Sequence, residues 1–141
     1  MKRYLWWGLL SLSLLGCVSN FDSAGNYKDY YLTPEQAKVV AGDMAAQLKA
    51  CYPARVIFSF PHTETVFTDE LENAIRDLGL GISVADIPSY HRLRVKVSRL
   101  NDTQFYSELY VDDVTFSKIW VERDNTLIPL NTTTTFGGQH E

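Results

Sequence analysis

Cysteine is scarce in this chain of 141 residues, which contains two, Cys17 and Cys51. A framework of several disulfides, the usual support of small secreted domains, is therefore excluded. Glycine is infrequent as well, and the Gly79-Leu80-Gly81 stretch follows a predicted helix instead of opening one, which excludes a phosphate-binding loop there. A packed apolar core must stabilise the folded part, and the chain is long enough to form one.

The chain has no apolar run long enough to span a membrane. Its main apolar run, residues 4–16, carries no charge, but it is shorter than the roughly 20 apolar residues that a bilayer-spanning helix needs. Lys2 and Arg3 precede it and supply the short positive region of a signal peptide. We therefore predict that residues 1–16 are a signal peptide that is removed.

The end of this run, Leu14-Leu15-Gly16-Cys17, resembles the lipobox of bacterial lipoproteins. That motif has Leu three positions before an invariant cysteine and a small residue directly before it. The resemblance implies a lipidated Cys17, which anchors the protein durably once two or more acyl chains are attached. The absence of Asp at position 18 resembles lipoproteins sent to the outer membrane, so we expect a periplasm-facing protein there. The alternative is an ordinary secretory signal with a buried or disulfide-bonded Cys17.

Positive charge is in the minority. The chain has 13 Lys and Arg against 17 Asp and Glu, and its formal charge of −4 becomes about −6 when Lys2 and Arg3 are removed. Acidity argues against nucleic acid as a direct ligand and is explained by solubility. For Cys51 we predict a buried, inert thiol, with an intermolecular disulfide as the alternative.

Residues 17–32 comprise the lipidated cysteine and a polar stretch that predicts a flexible tether. Three tyrosines, Tyr27, Tyr30 and Tyr31, lie in this stretch, although a plain spacer does not need them. They are candidate partner-binding residues, or they lie at the lipid headgroups. The alternative is that Tyr30 and Tyr31 begin the folded domain.

Two helices are predicted. The first begins at Thr33-Pro34-Glu35-Gln36, which combines a capping Thr, Pro at the first helical position and Gln three residues after the cap, and it ends before Pro53. The second is predicted to be capped by Thr68 and to end at Gly79. Apolar residues recur at helical spacing, namely Ala37, Val40, Met44, Leu48 and Cys51 in the first helix and Leu71, Ala74, Ile75 and Leu78 in the second.

Five or six short strands are predicted. Residues 55–60 and 82–85 form the first two. From His91 apolar residues alternate with polar ones, and polar turns divide the rest of the chain into a β meander. The order predicts a two-layer α+β domain over residues 33–131, in which two helices pack on one face of a mainly antiparallel sheet. Residues 132–141 are predicted to be a flexible tail.

The candidate bases for an enzyme are His62, His91 and His140, and none lies in a nucleophile or metal-binding motif. We therefore predict no catalytic site, no metal site and no cofactor. His62 has acidic residues nearby in the sequence, which leaves a pH-sensitive pair or a weak metal site open. A solvated loop histidine is the favoured interpretation.

The densest positive feature comprises Arg92, Arg94, Lys96 and Arg99. The first three, on one side of the strand that begins at His91, are candidate partner-binding residues, and we call them the basic stripe. Lipopolysaccharide phosphates or an acidic protein are candidate partners for it. The alternative is a solvated outer face whose charges also prevent edge-to-edge pairing.

Several features together resemble the TrbH family of conjugal-transfer lipoproteins. They are the lipobox, the helix ending in Tyr52-Pro53-Ala54, the helix Phe67…Leu71…Arg76-Asp77-Leu78-Gly79 and the closing β meander. The resemblance implies a non-enzymatic accessory lipoprotein of a conjugative type IV secretion, or mating-pair formation, apparatus. Its partners would then be the membrane and proteins of the secretion channel. Two other classes stay open, an assembly or binding module of another envelope system and an envelope hydrolase.

Overall fold

The computed structural model describes residues 21–26, 32–130 and 133–137. Within these residues the chain forms two helices, α1 (Pro34–Cys51) and α2 (Val66–Asp77), and seven strands. The strands are β1 (Ile57–Ser59), β2 (Gly81–Ser83), β3 (His91–Arg99), β4 (Gln104–Val111), β5 (Val114–Arg123), β6 (Thr126–Pro129) and β7 (Thr134–Phe136).

The strands form one open sheet in the order β2-β1-β3-β4-β5-β6, with β7 also paired to β5. Strand β1 runs parallel to β2 and to β3, with α2 as the crossover between β1 and β2. The other pairs, from β3 onward, are antiparallel. The predicted α+β fold with a mainly antiparallel sheet and a C-terminal β meander is confirmed.

Helix α1 begins as the sequence predicts. The Thr33 hydroxyl accepts from the Gln36 amide at 3.2 Å, and the Gln36 side chain accepts from the Thr33 amide at 3.1 Å. This reciprocal pair satisfies amides that have no partner inside the helix. Tyr52 then takes an extended conformation just before Pro53, which cannot continue a helix.

Helix α2 begins three residues earlier than predicted. Thr65, and not Thr68, is the capping residue, and Thr68 closes the capping box from within the first turn. The acidic pair after Thr68 suggested a start there, but the Thr68 hydroxyl lies at the third helical position and accepts from the Thr65 amide at 2.8 Å. The predicted C-terminal cap is confirmed. Gly79 has φ of +79°, and the Leu80 amide donates back to the Ile75 carbonyl at 3.2 Å.

Both helices pack on one face of the sheet and form a single core with it. Leu93, Val95 and Val97 point into this core and are buried, so the predicted alternation of β3 is confirmed. From β5, Trp120 is buried with its indole N–H donating to the Ser107 hydroxyl at 2.9 Å. A polar contact also crosses between the layers, from Lys118 Nζ to Asp43 of α1 at 2.7 Å.

Cys51 corrects the predicted face of α1. It continues the apolar spacing of the helix, but its thiol is exposed, and the prediction of a buried thiol is wrong. The last turn of α1, residues 49–51, is exposed throughout. Spacing predicts which way a side chain points, but it does not predict where the facing layer ends.

Strand β7 lies within the segment that the sequence predicts to be a flexible tail. Residues 134–136 pair antiparallel with residues 115–117 of β5, next to β6 on the same edge. Gly137 follows at φ of +82°, where a Cβ atom would clash with the Asp113 carbonyl oxygen. This close approach of two backbone segments requires glycine.

Candidate functional site

The face of the sheet opposite α1 and α2 is the candidate site, and we call it the helix-free face because no helix of the described residues covers it. It carries the side chains that alternate with the core residues of β3 and β4. The strand register places Arg94 opposite Tyr110 and Lys96 opposite Glu108. The basic stripe therefore adjoins a row of polar and aromatic residues from the next strand.

That row consists of Tyr106, Glu108 and Tyr110 on β4. The Glu108 carboxylate accepts a hydrogen bond from each of the two phenol groups. Burial, together with these hydrogen bonds to the carboxylate, raises the pKa of both tyrosines above the ordinary value. Both phenols are therefore protonated at neutral pH, and the row presents hydrogen-bonded aromatic rings with one carboxylate between them.

The structure places the basic stripe on the helix-free face, as predicted, with all three side chains half-buried. Arg92 forms an ion pair with Asp86 at 2.6 Å. Arg94 lies over the ring of Tyr110, with 5.0 Å from its guanidinium carbon to the ring centre. The stripe is therefore part of a network on its own surface and not a row of isolated cations.

The N-terminal segment, defined as residues 21–26, packs on the domain although the sequence predicts it to be part of a flexible tether. Asn26 is 1% exposed. Its side-chain oxygen accepts from the Val95 amide at 2.9 Å, and its amide group donates to the Pro61 carbonyl at 2.9 Å. Asp22 accepts from the Thr63 amide at 3.0 Å. These contacts extend the folded unit toward the predicted lipid anchor.

Asp22 organises this segment internally as well. It accepts from the amides of Ala24 and Asn26, each at 2.9 Å. Partial burial alone would raise the pKa of Asp22, but hydrogen bonds led by the Thr63 amide outweigh it and lower the pKa. The hydrogen bonds to the ionised Asp22 carboxylate therefore stabilise the docked segment fully near neutral pH. This stabilisation is lost as the pH falls through the lowered pKa of Asp22.

The first testable prediction concerns Asn26. Replacing it by alanine leaves the buried Val95 amide without its acceptor, so we expect a loss of about 1–3 kcal/mol in the free energy of unfolding. Urea denaturation followed by circular dichroism measures this loss. Ser23→Ala is the matched control, because Ser23 is exposed in the same segment. Equal stability of the two variants would contradict the role assigned to Asn26.

The other predicted binding and lipidation residues, Tyr27, Tyr30, Tyr31 and Cys17, lie outside the described residues. The three tyrosines occupy a stretch of five residues between Asn26, which is buried, and Leu32, which packs against the core.

His62 corrects the interpretation of a solvated loop histidine. Its side chain is 4% exposed and lies 2.9 Å from the Glu72 carboxylate, which also pairs with Arg76. The other ring nitrogen lies 2.7 Å from the Phe60 carbonyl. Sequence distance hid this contact, because the loop that holds His62 meets Glu72 of α2, ten positions later, only in the folded chain.

The histidines that the structure describes, His62 and His91, each contact a carboxylate. His91 lies 2.6 Å from Asp112, so both histidines face carboxylates and neither of these contacts activates a hydroxyl or a thiol. Among residues 21–26, 32–130 and 133–137, no group of three or more His, Cys, Asp or Glu side chains is arranged to hold a metal ion.

The predicted site residues do not include Glu108, Tyr106 or Tyr110, nor Asp22 and Asn26. The signal for the tyrosines was present, since large aromatic residues stood at the outward positions of an alternating strand. Asp22 and Asn26 gave no such signal, because polar residues near a glycine are equally typical of a spacer.

Fold and surface together describe a small two-layer α+β domain with one sheet face that neither described helix covers and an N-terminal segment docked beside it. A family model described as conjugal transfer protein TrbH matches residues 20–137, and the chain belongs to this family. The family is not a known enzyme family, and it indicates a location in the cell envelope. Comparisons with curated proteins and with solved structures give no match. Neither described helix is long and apolar enough to cross a membrane.

Proposed function

We propose that this protein is a lipid-anchored, non-enzymatic accessory part of a conjugative type IV secretion apparatus, acting in mating-pair formation. It is attached through Cys17 to the outer membrane and faces the periplasm. The observation that carries the proposal is membership of the conjugal transfer family over residues 20–137. The lipobox ending at Cys17 supports the lipid anchor.

The proposed contribution is to hold a protein of the secretion channel at the membrane. An anchor close to a binding surface raises the local concentration of a docked partner without new chemistry. The described part of the predicted tether, residues 21–26, packs on the domain.

The helix-free face supports a contact with an acidic protein surface. Asp86, the partner of Arg92, has a side chain 63% exposed, and an ion pair this exposed contributes about 0–1 kcal/mol. A carboxylate from a partner can replace Asp86 at little cost. The tyrosine row and the basic stripe then supply the aromatic and cationic side chains that often carry binding energy.

The second prediction tests this surface. Neutralising the stripe with Arg94→Gln and Lys96→Gln is expected to reduce recovery of the complex from envelope extracts. The difference between variant and wild type should be smaller at high salt, because salt already screens the wild-type contact. The control is Lys38→Gln with Arg123→Gln, which removes two charges at exposed positions elsewhere.

Replacing Tyr27, Tyr30 and Tyr31 by Ser is expected to reduce recovery of the complex and DNA transfer without unfolding the domain.

The role in conjugation is tested by a mating assay in a strain lacking the gene. Loss of DNA transfer that the wild-type gene restores is the expected result. Normal transfer without the gene would eliminate the proposal. Lost transfer with fully active stripe and tyrosine variants would keep the role and move the docking surface elsewhere.

A further inference from the structure

The His62–Glu72 pair has a proton requirement that its geometry fixes. Nδ1 of His62 lies 2.7 Å from the Phe60 carbonyl oxygen, which only accepts, so this nitrogen must carry a proton. Nε2 lies 2.9 Å from a Glu72 carboxylate oxygen. A neutral imidazole has one donor and cannot satisfy both contacts when Glu72 is ionised. Both contacts are satisfied only if the pair carries one additional proton, either on His62 as an imidazolium or on Glu72 as a carboxylic acid.

Arg76 decides where this proton resides. Its guanidinium lies 2.9 Å from the second Glu72 oxygen, which favours an ionised carboxylate and hence a charged imidazolium. The ring also stacks on Phe60 with 4.4 Å between ring centres. Loss of the proton leaves a nitrogen lone pair facing a carboxylate in a site where the side chain is 4% exposed.

The backbone on both sides of His62 holds the N-terminal segment. The carbonyl of the Pro61–His62 peptide accepts from the Asn26 side chain at 2.9 Å. The amide of the His62–Thr63 peptide donates to Asp22 at 3.0 Å. A movement of His62 away from Glu72 therefore shifts two of the groups that bind this segment.

We propose that His62 and Glu72 form a proton-dependent latch that keeps residues 21–26 docked on the domain and releases them as the pH rises. Docking requires the extra proton, and a histidine free of partners loses it near neutral pH. By linkage the docked state is therefore favoured at lower pH and weakens by at most about tenfold per pH unit as the proton is lost.

Other charged groups around the pair limit the pH range of the latch. Glu64 of the same loop and Asp69 of α2 line the cleft with His62 and Glu72, and Val84 closes it from the segment after β2. Both carboxylates favour the imidazolium. Asp22 on the docked segment acts in the opposite direction. Protonation of its carboxylate weakens docking, and its lowered pKa confines this protonation to acid. Loss of docking through Asp22 in acid and release through the latch therefore fall at opposite ends of the pH range.

Release of the segment changes the surface beside it. The Arg92 guanidinium donates to the Ala24 carbonyl at 3.4 Å, and the Arg94 side chain lies against Gly25. Undocking removes both contacts and opens the basic stripe. If the proposed function holds, partner binding at the stripe and release of the segment are then coupled, but the latch itself does not depend on that function.

Hydrogen exchange of backbone amides tests the latch in the full-length protein, held in detergent. The amide of Val95 reports docking because its acceptor is Asn26, and the amide of Leu109, in β4 between two paired strands, reports global unfolding. After correction for the intrinsic exchange rate, protection of Val95 should fall between pH 5.5 and 8, while protection of Leu109 stays constant. Constant protection of Val95 over this range would overturn the proposal.

Glu72→Gln is the decisive variant. The side-chain amide that this substitution introduces can donate to Nε2 of a neutral His62, which keeps Nδ1–H for the Phe60 carbonyl, so no extra proton is needed. We expect the segment to stay docked at pH 8 and the pH dependence to disappear. The same pH dependence in this variant as in the wild type would refute the latch. Ring-nitrogen NMR shifts of His62 provide a second readout, with both nitrogens protonated in the docked wild type and one in the variant.

Discussion

Replacing Cys17 by alanine is expected to abolish lipidation and to release the protein from its membrane anchor. Each buried methylene of an acyl chain contributes about 0.8 kcal/mol, so two or more chains bind a membrane durably and their loss removes the whole effect. The run of residues 4–16 is too short to span a bilayer in their place. Metabolic labelling with a palmitate analogue, followed by membrane fractionation, measures the change.

The chain supplies its own control for this experiment. Cys51→Ala removes the other cysteine, which is exposed at the end of α1 and lies outside any lipobox. It should label and fractionate like the wild type. A Cys17→Ala protein that still takes up the label and stays in the membrane fraction would show that the lipoprotein assignment is wrong.

The largest effect on stability is expected from a charge in the core. Leu71 of α2 is fully buried, and Met44 of α1 is 4% exposed in the same cluster. Aspartate at either position loses the apolar contact and buries an unpaired charge, which should cost several kcal/mol. Because a domain of this size is stable by about 5–15 kcal/mol, either variant should be strongly destabilised.

Thermal and urea denaturation measure these losses. Lys38→Ala is the control, since Lys38 is exposed on the outer side of α1. Lys49 is a poorer control than its position suggests, because its ammonium donates to the Leu78 carbonyl at the end of α2 at 2.7 Å. Equal melting temperatures for Leu71→Asp, Met44→Asp and Lys38→Ala would mean that the buried faces are assigned wrongly.

The features that the sequence predicted correctly depend on neighbours along the chain. A capping Thr with Gln three residues later sets the start of α1, and Gly79 ends α2, because hydrogen bonds within a few residues decide both. Strand alternation in β3 is similarly local. The α+β class followed from the order of these elements.

The features that the sequence did not predict depend on contacts between distant residues. Asn26 meets Val95 across 69 positions, and Asp22 meets Thr63 across 41. The parallel pairing of β1 with β2 and β3 belongs to the same group, since no local pattern specifies which strands become neighbours. The exposure of Cys51 also depended on where the facing layer ends.

The sequence by itself therefore determined both helices, the cap of α1, the glycine that ends α2 and the inward face of β3, because backbone hydrogen bonding and side-chain direction repeat over a few residues. It also carried the lipobox motif, which is a local signal. Only the tertiary structure decided that His62 is enclosed beside Glu72, that residues 21–26 are docked, and that the basic stripe adjoins the Tyr106, Glu108 and Tyr110 row. These arrangements result from packing two layers, which brings together groups whose separation along the chain gives no sign of contact.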